Sequence, residues 1–144
     1  MEILQAIRNR RTIHSFSDRR VPKDIIERSI DAANQAPCHR VTFPWRFTSI
    51  GKNKRELLLE LQLKLKFGNK TRGQHNIEDT RAKVLNPSHL LVASRVSTNN
   101  QVQAREDYAA CACAIQNLSL SLVANGVGSK WSTGGIITNI RTYE

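Results

Sequence analysis

Three short stretches carry residue types that could do chemistry. The first is Arg10-Arg11-Thr12, inside NRRTIHSF (9–16), where two guanidinium groups and a hydroxyl follow a short helical pattern. Guanidinium groups grip phosphate oxygens through paired hydrogen bonds, and a hydroxyl with turn amides completes such a cradle. Solvated surface arginines are the plain alternative. The second is APCHRVTFPW (36–45), which sets His39 between two prolines and shortly before Trp45, so that an imidazole and an indole are expected to border one concave site. A loop histidine with an ordinary hydrogen bond is the alternative there, and Gln35, the last helical residue before this loop, reads by itself as surface. The third is KWSTGG (130–135), a turn composition that offers backbone amides and the hydroxyls of Ser132 and Thr133 beside the ring of Trp131; an ordinary turn is its alternative.

Other chemistries lack their residues. No Ser-His-Asp or Cys-His set can be argued, and no pair of carboxylates suggests glycoside or phosphate hydrolysis. Cys38, Cys111 and Cys113 form no C-x-x-C pair, and His14, His39, His75 and His89 are scattered without metal-ligand spacing. Gly126-x-Gly128 is too short for a dinucleotide fingerprint and follows a helix instead of opening one. If the chain is an enzyme, a bound cofactor performs the hard step.

The formal net charge of +10 invites a nucleic-acid reading, but its distribution argues against one. Residues 46–83 carry +6 of it, interleaved with leucines, against +3 for 1–45 and +1 for 84–144. That basic run has few aromatic rings on which bases could stack. No apolar stretch reaches the length of a membrane span. The N-terminus has the acidic Glu2 and no long apolar centre, so no signal peptide is expected and a reduced, cytoplasmic setting is the simplest expectation.

The elements that must position these residues follow from periodicity. Ile3, Leu4 and Ile7 predict a short amphipathic helix ending near Asn9; Ile25, Ile26, Ser29, Ile30 and Ala33 predict a second, closed by Pro37. PWRFTSIG (44–51) reads as a strand with Trp45, Phe47 and Ser49 on one face. KNKRELLLELQLKLKF (52–67) lacks β-branched residues and is rich in helix formers, which predicts a helix whose stripe is Leu57, Leu58, Leu61 and Leu65. Residues 68–88, with Gly68, Gly73 and Asn76 as breakers, read as a long polar loop or lid with a short helix, and HLLVAS (89–94) as a buried strand. Over 104–125 a long helix is expected with Tyr108, Cys111, Ala112, Ile115, Leu118, Ser119 and Leu122 on one face. Its small residues run nearly all round, so it is either central to the domain or shared between subunits. The order predicts one α+β domain over 1–144. Two strands are few for a sheet, so a partner chain completes it or further strands exist.

Taken in order, RRT-x-x-x-F (10–16), VP (21–22) and AANQAPCHRVTFPWRF (32–47) resemble the start of the FMN-dependent nitroreductases, and YAACACAIQNLSLSLVANGVGSKWSTGG (108–135) resembles that family's central helix and flavin-contact turn. The nearest likeness is to the compact bacterial NAD(P)H nitroreductases. The resemblance implies a small antiparallel or mixed sheet flanked by helices, and a homodimer with the long helix at its interface and FMN bound between subunits. It implies hydride transfer from NAD(P)H through FMN to nitro-aromatic or quinone-like acceptors. Carried over, Arg10, Arg11 and Thr12 would hold the FMN phosphate and ribityl chain. Gln35 would lie near the flavin, His39 would reach the flavin of the other subunit, and Trp131, Ser132 and Thr133 would line the pocket. Ser121, Leu122, Val123, Ala124, Asn125 and Gly126 occupy a stretch assigned in some members to the nicotinamide nucleotide. Phe43 and His14 depart from the family pattern, which commonly has Gln and a second cation there. The chain stops at Glu144, where family members continue through a further strand and tail. A cofactor-poor relative acting as a binding module is therefore the alternative, ahead of a nucleic-acid binder.

Overall fold

A computed structural model describes residues 1–68 and 74–142. Its elements in chain order are α1 (Ile3–Asn9), α2 (Lys23–Asn34), β1 (Trp45–Ser49), α3 (Lys52–Phe67), α4 (Gln74–Leu85), β2 (Leu91–Arg95) and α5 (Gln101–Ala124), followed by two 3-10 turns, Gly135–Thr138 and Ile140–Thr142. The contacts divide the chain into two units. One comprises Met1–Thr12, Val21–Thr48 and Leu91–Ser129; the other comprises Ile13–Arg20, Ser49–Leu90 and Lys130–Glu144. Among the described residues no helix is long and apolar enough to cross a membrane.

The first unit is built on α2 against α5. Ser29 and Ala33 of α2 and Ala110, Ala114, Leu118 and Leu122 of α5 are buried, with Ile26, Ala36 and Trp45 in the same core. Small side chains let the two backbones approach closely, and the polar groups at this contact are satisfied: Ser29 Oγ donates to Ser121 Oγ at 3.1 Å, and Asn117 Nδ2 donates to the Ala32 carbonyl at 3.3 Å. The buried stripe of α5 is thus Asp107, Ala110, Ala114, Leu118 and Leu122, rotated from the expected one. Tyr108 is 65% exposed. With small residues on every side, apolarity gave no preference between faces, and the alanines won because only they allow α2 so near.

Both ends of α5 are closed by local chemistry. The Asn100 side chain accepts from the Val102 and Gln103 amides at 3.0 and 3.1 Å. At the other end Gly126 takes φ 72°, the Val127 N–H reaches the Leu122 carbonyl at 2.9 Å and the Gly126 N–H the Val123 carbonyl at 2.9 Å. This is a Schellman closure, with Val127 packed on the core.

β1 and β2 form a two-stranded sheet. Its register is antiparallel: the Val96 N–H donates to the Pro44 carbonyl at 2.8 Å and the Ile50 N–H to the Leu90 carbonyl at 2.9 Å. Trp45 is buried and Phe47 half-buried, whereas Ser49 is exposed. A parallel bridge outside the sheet joins Thr12 to Ser129.

In the second unit α3 packs against α4 and the 3-10 turns. Where the sequence suggested a polar loop or lid with a short helix, α4 is a helix of twelve residues; Gly73 lies outside the described residues. Thr80 and Val84 are buried, one turn apart. The Thr80 hydroxyl donates to the Asn76 carbonyl at 2.8 Å and accepts from Lys66 Nζ at 3.2 Å, so a polar residue serves as core. The buried positions of α3 are Arg55 and Leu59, while Leu57 and Leu65 of the expected stripe are exposed. Arg55 is 4% exposed; its Nε donates to the Ile50 carbonyl at 3.1 Å, and its terminal nitrogens reach Pro87 O at 2.5 Å and Ser88 O at 3.2 Å. Burial pulls its pKa below the ordinary arginine value. Carbonyl dipoles from two segments replace water around this cation.

Arg55→Met is therefore expected to destabilise the protein by about 3 kcal/mol, because buried carbonyls lose their donors at ~1–3 kcal/mol each. Urea unfolding checks this, with exposed Lys54→Met expected within about 0.5 kcal/mol of wild type. Equal midpoints for the two variants would show that Arg55 holds nothing together.

Candidate functional site

The end of α1 sets the leading arginines. The Arg10 N–H closes the helix on the Ala6 carbonyl at 2.9 Å, after which the backbone turns extended. Arg11 folds back, donating to the Arg8 carbonyl at 2.5 Å and the Arg10 carbonyl at 2.8 Å. These lie at the negative end of the helix, where a cation is favoured. Arg10 is half-buried, and its guanidinium makes no ion pair or side-chain hydrogen bond among the described residues. Thr12 is exposed, and its backbone is pinned by the bridge to Ser129. The Schellman turn of α5 thus feeds directly into the strand-like segment beside Thr12. The two arginines differ in setting: Arg11 completes a helix end, and the Arg10 side chain has no hydrogen-bond or ion-pair partner among the described residues.

Of the stretch at the end of α5, Ser121 is hydrogen-bonded to Ser29 and Leu122 is buried, which turns both into the α2 contact. Ala124, Asn125 and Gly126 are exposed.

The Pro37–Phe43 loop leaves α2 after Gln35, which caps that helix and is exposed. It turns through a bond from the Val41 N–H to the Cys38 carbonyl at 3.0 Å, and the Phe43 N–H donates to Cys38 Sγ at 3.4 Å. Val41 and Phe43 have φ of 55° and 42°. A β-branched and an aromatic residue rarely take this left-handed conformation, at a cost of roughly 1–3 kcal/mol each. The loop is tied to α5 at two points. Thr42 Oγ1 donates to Asp107 Oδ1 at 2.7 Å, and Arg40 Nε pairs with Glu106 Oε2 at 2.5 Å. Asp107 is 3% exposed and has a second donor, Gln103 Nε2, at 3.5 Å.

His39 is exposed at the lip of an open groove of about 470 Å³, lined also by Pro37, Cys38, Glu106, Ala109 and Cys113. Trp45 borders a different one, of about 490 Å³, with Ile30, Asn34, Phe43 and Phe47. The imidazole and indole therefore do not share a concave site: alternation along the chain and the Trp45 Nε1 bond to Asn34 Oδ1 at 2.9 Å turn the ring toward α2. Trp131, Ser132 and Thr133 belong to the second unit, where all three are exposed.

Sequence reading passed over Thr42 and Asp107. The available signal was spacing: Asp107 is the one carboxylate in the series 107, 110, 114, 118, and an acid on a buried stripe requires a donor. The two half-buried cysteines diverge. Burial pushes the Cys38 thiol up, as does Asp107, but its hydrogen-bond contacts with the Thr42 hydroxyl and the backbone amides of Phe43 and Thr42 outweigh them and leave it below the ordinary value. Burial holds Cys111 above that value, with Arg95 opposing.

The model of the nitroreductase family matches residues 7–143. The Bacillus subtilis protein YfhC, whose name proposes an NAD(P)H nitroreductase, is 32% identical over 144 residues, covering 96% of this chain and 72% of that one. Among solved structures, a nitroreductase-like family protein from Bacillus cereus superposes with a TM-score of 0.79 at 26% identity, over 97% of this chain and 74% of that one. A Bacteroides fragilis nitroreductase with bound FMN shares the fold at TM-score 0.67 and 24% identity, over 91% of this chain and 69% of that one.

Because the thiolate is the attacking form, the lowered Cys38 is expected to react with iodoacetamide faster than Cys111 near neutral pH in the ligand-free protein. Peptide mapping by mass spectrometry after partial alkylation reads the order. Earlier labelling of Cys111 would show that the hydrogen bonds on Cys38 do not favour its thiolate.

Proposed function

This chain belongs to the nitroreductase family, and from that premise we propose that it is an FMN-dependent oxidoreductase acting on nitro-aromatic or quinone-like acceptors with NAD(P)H as reductant. The observation that carries the reading is Arg10: a partly buried residue whose guanidinium has no partner among the described residues, next to a pinned Thr12. A solvent-facing cation without a counter-charge suits an anion brought by a ligand, and a phosphomonoester matches the guanidinium fork. Arg11 supports it indirectly by covering the carbonyls that end α1, whose partial negative charge would otherwise repel the phosphate. The residues present thus fit FMN.

When bound, FMN would supply the redox chemistry that links NAD(P)H to the acceptor. The chain's own part is to bind and orient. Arg10, with Thr12, would hold the phosphate. Gln35 and His39, both exposed beside the α2 end and the α5 groove, would offer hydrogen bonds to a flavin edge; in the second unit Trp131, Ser132 and Thr133 carry an exposed ring and hydroxyls of the kind a flavin contact uses. No side chain is assigned as acid or base. The end of α5 presents carbonyl dipoles, so a nucleotide contact at Ala124–Gly126 would engage sugar or nicotinamide and not pyrophosphate.

We assign the protein as a homodimer. Ile3, Leu4 and Ile7 of α1 and Val102 and Tyr108 of α5 are exposed within one unit, although the first three form the apolar face of an amphipathic helix. Such a face asks for cover, and a second copy of the same surface provides it with two-fold symmetry.

Titration of FMN into the flavin-free protein, followed by quenching of flavin fluorescence, tests the reading. Arg10→Ala is expected to weaken binding by roughly 1.5–3 kcal/mol, the range for a charge-assisted contact. Arg11→Ala is expected to lose less. Equal affinity of Arg10→Ala and wild type would move the phosphate elsewhere, and a wild-type protein that takes up no FMN would end the oxidoreductase reading.

A further inference from the structure

Packing explains only part of the strained backbone of the Pro37–Phe43 loop. Val41 is 68% exposed, and although the Phe43 ring meets Trp45 edge to face at 5.8 Å, it stays 47% exposed, so neither residue in the left-handed region buries its side chain. The bonds from the Val41 and Phe43 amides to Cys38 are internal to the loop and would move with it. Something outside the loop must hold it, since strained conformers persist only where their surroundings over-determine them.

Two ties reach α5. Arg40–Glu106 joins side chains 46% and 32% exposed, a class of ion pair that contributes little. Thr42 to Asp107 is different: the carboxylate is buried, the hydroxyl is half-buried, and the bond is short and charge-assisted. Asp107 in turn sits on the α5 stripe that packs on α2, next to Ala110. It is anchored to the rigid part of the unit, with Gln103 as its other donor.

We infer that Thr42 and Asp107 are positioning residues: their hydrogen bond clamps the Pro37–Phe43 loop in its strained form and thereby holds His39 at the lip of the α5 groove in the geometry that receives the cofactor. The second half of this inference rests on the FMN reading; the clamp itself does not. Neither side chain is assigned a contact with the flavin. Thr42 acts through the loop, and Asp107 acts through Thr42. Cys38 shares the arrangement, since its sulfur lies 3.3 Å from the same Thr42 hydroxyl, so the hydroxyl links the two ends of the turn as well as the turn to the helix.

The test compares wild type, Thr42→Val, Thr42→Ser and Asp107→Asn. Valine keeps the shape of threonine and removes its donor; serine restores the donor. Hydrogen exchange of the Val41 and Phe43 amides in the ligand-free protein reads the clamp, because both amides are protected only while the turn is closed. In Thr42→Val these two amides are expected to exchange about tenfold faster with α2 and α5 unchanged, and FMN affinity to fall about tenfold, the equivalent of one ordinary hydrogen bond. Thr42→Ser is expected to return both to near wild type. Asp107→Asn, which keeps an acceptor but loses its charge, is expected to fall between.

Unchanged loop exchange in Thr42→Val would overturn the clamp. A uniform rise across α2, α5 and the loop would overturn it too, marking Thr42 as a contributor to general stability. A loosened loop with FMN affinity intact would overturn the positioning role while leaving the oxidoreductase reading in place. A wild-type protein that binds no FMN would defeat that reading and the cofactor half of this one, and the exchange measurement would then decide the clamp by itself.

Discussion

The close approach of α2 to α5 is the constraint on which the first unit depends. Ser29 and Ala33 meet Ala110 and Ala114 with essentially no exposed surface, which brings backbone against backbone. At that separation a larger side chain on either helix would force both apart. The consequence reaches beyond packing energy. The end of α2 fixes where the Pro37–Phe43 loop begins, and the turn at the end of α5 fixes where Ser129 meets Thr12. The start of the strained loop and the bridge at Thr12 are therefore both placed by one pair of helices.

Polar groups in the interior follow the same logic throughout. Ser29 bonds Ser121, Asn117 reaches a carbonyl of α2, Asp107 accepts from Thr42, Thr80 serves as donor and acceptor, and Arg55 spreads its charge over three carbonyls. Among the described residues no buried side-chain nitrogen or oxygen lacks a partner. Polar cores of this kind gain little net stability per bond, but each bond excludes the alternatives in which it is unmade. Against that background, the Arg10 guanidinium, without a partner among the described residues, stands out.

Much of this was legible in order and type. The amphipathic rhythm of α2, the strand entered through Pro44, the helix over 52–67 and the small-residue α5 all appear where periodicity puts them. The motifs at 10–16 and 32–47 carried the family resemblance, and the family model matches residues 7–143. The misreadings share a cause. For α5 and α3 the sequence offered several faces of similar apolarity, and which one turned inward depended on what lay opposite. For α4 the polar composition left the helix short in the expectation, because one of its two buried positions, beside Val84, is a threonine that bonds its own backbone, a residue that no hydrophobic pattern counts.

The division between Arg10 and Arg11 shows where a one-dimensional reading stops. Two adjacent arginines after a helix are equivalent in sequence, and only the geometry of the helix end commits one of them to carbonyls and leaves the other free. Asp107 and Thr42 lie sixty-five positions apart and became partners through the packing of α2 on α5. Local propensity and the chemistry of side chains act over a few residues, so the chain by itself determined its elements and its stock of binding groups. Which face is buried, which charge is left unpaired and which loop is held under strain are set by long-range contacts, whose energies depend on the whole arrangement. Those were decided only in three dimensions.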